Sequence, residues 1–245
     1  DAVASSGFSW DEIGRYLHAR HASEANRILQ QRNPGRANNG ELSGMSNEEA
    51  AQVIAFHAGD ETLELIGQYV DLISEKRVQL MVDSGLLTPA EGKAWRTNYR
   101  HYIPLNREEA GGLVPKRGKG FDVRGRESKL RAGSTKPVDH KHVLAHLLGQ
   151  YEATIARSEK NRVAQAMYRL AAANPNNDMW VVDSLPRDPF LKRGGEIAFR
   201  ASPFHGNVMG AKFDGVTKYV TFNEENDHAA HIARARVLRL DARQH

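Results

Sequence analysis

The apolar residues of this chain change their spacing at Asn174-Pro175-Asn176-Asn177. Before this point they recur at intervals of three and four residues, as in helices that bury one face. After it they alternate or form short runs, as in β-strands. The change predicts a mainly α protein of the α+β class. An antiparallel helical region and a long helix would be followed by a small antiparallel β element.

Capping residues and helix breakers divide the helical part. Asp60 and Gly85 are suited to the two ends of one helix, in which Leu65, Tyr69 and Leu72 widen the apolar face. That width predicts a helix packed on two sides. Five helices are predicted, at about Ser9–Gln31, Ser46–Ala58, Asp60–Gly85, Thr88–Ile103 and Pro137–Ala173.

The β element is predicted from short apolar runs and one turn. Asp214-Gly215 is a two-residue hairpin signal between Ala211–Phe213 and Val216–Phe222. Met179–Val182 and Ile197–Arg200 are further strand candidates, and the resulting small sheet is expected to cover the long helix. Asn223 is predicted to cap a last helix that ends at about Leu240.

Charge divides the chain into residues 1–105, a basic glycine-rich loop at 106–137, and residues 138–245. The chain carries 34 Lys and Arg against 30 Asp and Glu, a net charge of +4. From Lys116 to Lys136 there are eight cations and two acids, so this run alone contributes +6 and the rest sums to −2. The run predicts contact with nucleic acid or with an acidic partner, although a solvated loop is an open alternative. The candidate contact residues are Lys116, Arg117, Lys119, Arg124, Arg126, Lys129 and Arg131.

Other residue patterns indicate no particular chemistry. The absence of cysteine excludes disulfides and thiolate metal sites. His142 and His146 have the four-residue spacing of a zinc site, but Val143 stands where a zinc protease needs glutamate. His18 and His21 are expected to form a hydrogen-bonded patch on a helix surface. We therefore expect no catalytic residue, no metal and no cofactor, and a segment that is not an enzyme.

Several short motifs follow one another along the chain. They are Tyr16–Asn26, Gly44–Ala50, Ser84–Leu87 with Trp95, Tyr102–Arg107, Arg124–Arg126, Ala132–Ser134, Arg157–Asn161 and Trp180–Val182. In this order they resemble the "PLxRFG" module of very large phage and prophage polypeptides. The resemblance extends from about residue 10 to residue 185, and Glu108-Glu109 replaces the Phe-Gly of the module's name. The central motif contains Pro104, Leu105 and Arg107, and we expect Arg107 to be a structural anchor.

The resemblance implies a biological context. Such modules lie in internal virion proteins, some with a packaged RNA polymerase, that accompany the genome into the host. The chain is accordingly expected to be a piece of a longer polypeptide and a non-catalytic part of an ejection scaffold. It would lie in the virion interior and, after ejection, in the host envelope or cytoplasm. Its expected partners are other copies, other ejection proteins or, non-specifically, double-stranded phage DNA. Two alternatives are an accessory module packed on a polymerase domain and a protein that protects incoming DNA.

Overall fold

The computed structural model describes residues 7–36, 39–107, 123, 133–193, 195–203 and 205–223. These residues form a mainly α structure with small antiparallel sheets, which confirms the predicted fold class. The helices in them are α1 (Trp10–Arg32), α2 (Asn47–Phe56), α3 (Glu61–Asp83), α4 (Pro89–Asn98) and α5 (Val143–Ala173). The strands are β1 (Trp180–Val182), β2 (Arg187–Leu191), β3 (Ile197–Ala201), β4 (Val208–Phe213) and β5 (Val216–Phe222).

The chain divides into two compact units. Among the described residues, the first unit contains those up to 80, 89–107 and 133–154, and the second contains 81–88, 123 and 155–223. Helices α3 and α5 therefore contribute residues to both units. The division into segments at residues 105 and 137 stays a prediction.

The helices begin at polar caps. Ser9 Oγ accepts a hydrogen bond from the Glu12 amide at 3.2 Å, and the Glu12 carboxylate accepts one from the Ser9 amide at 2.8 Å, so α1 begins with a full capping box. Asp60 Oδ1 accepts from the Leu63 amide at 3.0 Å. Ser46 Oγ accepts from the Glu49 amide at 3.0 Å. The predicted caps of α2 and α3 are therefore confirmed.

Helix α3 ends at a glycine, as predicted. Gly85 has a φ of +74°, which L side chains rarely adopt. Its amide donates to Val82 O and the Leu86 amide donates to Met81 O, both at 2.9 Å. This pair of bonds is a Schellman motif, which satisfies carbonyls that the helix end leaves without partners.

The core of the first unit is built mainly by α1, α3 and the first turns of α5. Ile103 and Val138, which lie outside helices, are also fully buried in it. The helical core residues are Ile13, Tyr16, Leu17, Leu63, Ile66, Val70, Val143 and Leu147.

The second unit contains a three-stranded antiparallel sheet in the order β1-β5-β4. Asp214 and Gly215 join β4 to β5 with φ values of 47° and 75°, as a type I′ hairpin turn requires. Ala164, Tyr168 and Ala171 of α5 pack against Ala211, Val220 and Phe222 of the sheet. The predicted hairpin and the predicted cover over the long helix are confirmed.

Several elements differ from the predictions or lie beyond them. Helix α4 ends at Asn98 and not just before Pro104, since the Glu24 carboxylate accepts hydrogen bonds from the amides of Arg100 and His101, which would otherwise continue the helix. Strand β2 pairs with β3 in a separate two-stranded sheet, and it was not predicted because Pro189 interrupts its pattern. Helix α5 begins at Val143, after a 3₁₀ turn at His140–His142, and not directly after Pro137. The predicted C-terminal helix lies outside the described residues.

Candidate functional site

Arg107 is surrounded by backbone carbonyls from two stretches of the first unit, residues 42–43 and 134–136. Its Nη2 donates to Ser43 O and Ser134 O, both at 2.9 Å, and to Leu42 O at 3.5 Å. Its Nη1 donates to Lys136 O. We call this arrangement the Arg107 clasp. A planar guanidinium can donate in several fixed directions at once, whereas a lysine ammonium cannot reproduce that fork.

Two glycines leave room for the clasp. A Cβ on Gly44 would lie 2.1 Å from Arg107 Nη1, and Gly44 has a φ of +98°. A Cβ on Gly133 would lie 2.7 Å from the Cβ of Leu42, and Gly133 has a φ of +76°. Both positions therefore exclude a side chain for conformational and steric reasons. These glycines belong to the Gly44–Ala50 and Ala132–Ser134 motifs, so separate motifs meet at Arg107.

Asn26 connects the same loop to α1. Its side chain is buried, its Oδ1 accepts from the Ser43 amide at 2.9 Å, and its Nδ2 donates to Met45 O at 2.9 Å. The side-chain amide of Asn26 thus makes both a donor and an acceptor hydrogen bond with the backbone of residues 43–45. The sequence analysis did not identify Asn26 as a structural residue. Its position at the end of the Tyr16–Asn26 motif was the only indication of such a role.

His18 lies inside the first unit, with no exposed surface. Its Nδ1 is 2.9 Å from Nε2 of His140, a distance at which one ring donates and the other accepts. Burial, together with the nearby His140, His21 and Arg107, lowers the pKa of His18 to about 3. His18 is therefore a neutral histidine at physiological pH. It is also not part of a surface patch, because both His18 and His21 are buried.

A second polar cluster holds the chain just before Pro104. The Glu24 carboxylate accepts from the amides of Arg100 at 3.0 Å and His101 at 3.1 Å. Asp71 lies 2.6 Å from Arg20 Nη2 and 2.9 Å from His101 Nδ1. Burial tends to raise the pKa of Asp71, but the hydrogen bonds from His101 and Arg20 outweigh it and hold the pKa below its usual value. These contacts attach the chain before Pro104 to α1 and α3.

Asn161 has a comparable role in the second unit. Its Nδ2 donates to Ser84 O at 2.7 Å and to Lys212 O at 2.9 Å, and its Oδ1 accepts from the Lys212 amide at 2.8 Å. Ser84 and Ser158 are joined by a hydrogen bond of 3.1 Å between their hydroxyl groups. These residues come from the Ser84–Leu87 and Arg157–Asn161 motifs. Motif residues in the second unit therefore also bind backbone.

The predicted site residues fall into two groups. Pro104 is buried and Leu105 is half-buried against the core of the first unit, beside the Arg107 clasp. The candidate contacts of the basic loop lie outside the described residues, so contact with nucleic acid or an acidic partner stays a prediction for them. They are Lys116, Arg117, Lys119, Arg124, Arg126, Lys129 and Arg131.

His142 and His146 share one carboxylate. Asp139 Oδ1 lies 2.9 Å from His142 Nδ1, and Asp139 Oδ2 lies 3.5 Å from His146 Nε2. Burial tends to raise the pKa of Asp139, but hydrogen bonds from the two histidines lower it overall. Within the described part of the chain, no group of three such side chains has the geometry to hold a metal ion.

Leu65, Tyr69 and Leu72 form an exposed apolar row on α3, which we call the α3 stripe. Their exposures are 42%, 54% and 44%, although Leu63, Ile66 and Val70 on the other side of the helix are buried. The spacing of four and three residues places all three on one face. The prediction that α3 is packed on two sides is therefore wrong for the described structure, since the second apolar face is open.

A second open apolar surface lies on the β2–β3 hairpin. Pro189 pairs with Phe199 and Leu191 pairs with Ile197, so the four side chains share one face. All four are exposed. Arg200 lies over the ring of Phe190 on the opposite face, 5.7 Å from its centroid. In the second unit, too, apolar residues are thus left uncovered.

Polar side chains at the motif positions thus bind backbone within their own units, and each unit has an exposed apolar surface. None of the described helices is both long enough and apolar enough to cross a membrane. No protein-family model, curated protein or solved structure matches this chain.

Proposed function

We propose that this chain is a non-catalytic structural and interaction segment of a large phage internal virion protein that is ejected with the genome. In that role it forms part of an ejection scaffold and contacts other copies or other ejection proteins. The resemblance to the PLxRFG module supports the phage context. The α3 stripe is the observation that carries the interaction role.

The α3 stripe is suited to an interface because three large apolar residues are exposed in a row on one rigid helix. Single exposed leucines are ordinary on a protein surface, whereas a contiguous apolar row marks a place where another surface packs. Tyr69, at the centre of the row, offers a large ring with a polar end, a residue type enriched at interfaces.

The size of the stripe favours a repeated contact over an isolated dimer. Covering the exposed half of each side chain contributes about 1 kcal/mol, so two facing stripes contribute about 6 kcal/mol before the cost of association. That is too little for a stable dimer of separate chains. In a scaffold built from long polypeptides, linked neighbouring segments raise the effective concentration and make such weak contacts sufficient.

Cysteine cross-linking tests the proposal directly, because the chain contains no cysteine. Leu72→Cys places one thiol in the stripe, and Glu48→Cys places a matched thiol on the exposed surface of α2. Under mild oxidation we expect covalent dimers of Leu72→Cys and few of Glu48→Cys, in the purified chain and in the full-length polypeptide. Equal cross-linking of the two variants would contradict the interface. Mass spectrometry of purified virions tests the phage context separately.

A further inference from the structure

The end of α4 carries three aromatic rings packed edge to face. The ring centroids of Trp95 and Tyr99 are 6.4 Å apart, those of Tyr99 and Tyr102 are 6.1 Å apart, and those of Trp95 and Tyr102 are 5.8 Å apart. All three residues are partly exposed. The buried Arg77 guanidinium lies 5.4 Å from the Trp95 centroid and 5.6 Å from that of Tyr102. These rings are therefore held in place and need little ordering to receive a ligand.

Cations from α1 and α4 flank these rings. Arg27 Nη2 lies 3.5 Å from Asn98 O at the end of α4. Arg27 and Arg32 are close enough to Tyr99 to lower its pKa, although burial raises that pKa more. Lys93 and Arg96 lie three residues apart on α4, and Arg100 follows two residues after its end. We call the surface formed by these residues the aromatic–arginine surface. Its members are Arg27, Arg32, Lys93, Trp95, Arg96, Tyr99, Arg100 and Tyr102.

Little negative charge offsets these cations. In the described structure, none of the five cations is in an ion pair, and all but Arg96, which is half-buried, are exposed. The Glu24 carboxylate is occupied by the amides of Arg100 and His101, and Asp71 is paired with Arg20. The surface thus combines an excess of positive charge with partly exposed aromatic rings.

We propose that the aromatic–arginine surface binds single-stranded nucleic acid. Its exposed arginines contact phosphates, and Tyr99 and Trp95 stack with bases. Phosphates bind to exposed cations with release of counterions, and unpaired bases stack on aromatic side chains without regard to sequence. A double helix offers the same phosphates, but its bases are stacked on each other and leave the rings unused. An acidic protein would use only the cations. This inference is independent of the α3 stripe and of the basic loop.

Fluorescence anisotropy with an oligothymidylate of about 15 nucleotides tests the proposal, since such a probe spans a typical single-strand site. To remove binding by the basic loop, all measurements use the chain in which the seven candidate contacts of that loop are replaced by Gln. These are Lys116, Arg117, Lys119, Arg124, Arg126, Lys129 and Arg131. Tyr99→Leu should weaken binding about tenfold, as expected for loss of one stacked base, and Tyr99→Phe should bind like the parent. Thermal unfolding of each variant confirms that it is folded.

Charge variants test the phosphate contacts. Replacing Arg32 and Arg100 with Gln should reduce the slope of log K against log salt by about 1.4, because each single-strand phosphate contact contributes about 0.7. The matched control replaces Arg187 and Arg193 with Gln, which removes two exposed cations from the second unit and should leave the slope unchanged.

Any of three results would overturn the proposal. One is a parent chain that binds the probe no more tightly than a Kd of about 10⁻⁴ M, the weak limit of non-specific binding. Another is an equal loss in the Arg187 and Arg193 control. The third is that polyglutamate or duplex DNA binds as tightly as the oligothymidylate and that Tyr99→Leu weakens none of these complexes. That result would show a site for polyanions in general.

Discussion

The buried side chain of His18 in α1 should make the stability of the first unit depend on pH. His18 has a pKa of about 3 in the folded protein, whereas a histidine in an unfolded chain has a pKa of about 6.5. The folded state thus keeps His18 neutral throughout the range from pH 7 to pH 5, and the unfolded state takes up a proton in that range. The stability that a neutral His18 contributes is present above pH 6.5 and is lost as the pH falls toward 3.

The size of this effect follows from the two pKa values. Each pH unit below 6.5 costs about 1.4 kcal/mol while the folded state remains unprotonated, so going from pH 7 to pH 5 costs about 2 kcal/mol. His140 is one cause of this low pKa, because two facing nitrogens 2.9 Å apart have no room for a proton on each. Replacing His18 with Gln removes the titrating group and should remove this part of the pH dependence.

Urea unfolding at pH 7, 6 and 5 measures the effect. The wild-type chain should lose about 2 kcal/mol more than His18→Gln between pH 7 and pH 5. His142→Gln is the matched control, since it removes a histidine whose side chain is 40% exposed and leaves the His18–His140 pair in place, so the loss of stability due to His18 should remain. An NMR titration reports the protonation state of His18 directly. The chemical shifts of its imidazole should still be those of the neutral ring at pH 5. Equal pH dependence in wild type and His18→Gln, or titration of His18 near pH 6.5, would refute the reasoning.

Three further outcomes are expected from urea or thermal unfolding. Arg107→Lys should cost about 2 kcal/mol, because an ammonium cannot serve all the carbonyls of the clasp, and an unchanged stability would show that the clasp is not needed. Gly44→Ala should reduce stability by at least about 2 kcal/mol more than Gly59→Ala, since both glycines have a positive φ but only Gly44 lies against Arg107. Equal losses would show that backbone strain alone accounts for the effect and that contact with Arg107 does not matter. Asn161→Ala should cost about 3 kcal/mol by leaving buried backbone groups unpaired, and a loss below about 1 kcal/mol would mean that water replaces the amide.

The helices and the β4–β5 hairpin could be predicted from the sequence because their signals are local. Asp60, Gly85 and Asp214-Gly215 act on backbone within a few residues, and the structure uses them as expected. Strand β2 could not be found in the same way, since a proline within a short run argues against a strand unless the neighbouring strand is known. The pairing with β3 provides that context.

The roles of the polar residues depend on contacts that no local pattern contains. Arg107 binds carbonyls of residues that are 27 to 65 positions away, and Asn161 binds Ser84 and Lys212 at separations of 77 and 51. For His18 and His21, spacing alone did not distinguish a surface patch from a buried pair. The sequence shows that the apolar face of α3 is wide. It does not show which part of that face other elements of the chain cover, because this depends on the tertiary structure.

The β2–β3 hairpin has a feature that limits how it can associate. The Lys192 amide donates to Glu196 O and the Ser202 amide donates to Pro186 O. The backbone N–H and C=O groups of even-numbered residues on β2 therefore point toward β3, and those of odd-numbered residues point to the outer edge. Pro189 is therefore at the middle of the outer edge, where it offers no N–H to an incoming strand. The hairpin can be covered on its apolar face, but it resists extension into a continuous sheet. For a protein at high local concentration, that arrangement favours finite contacts over fibrous aggregation.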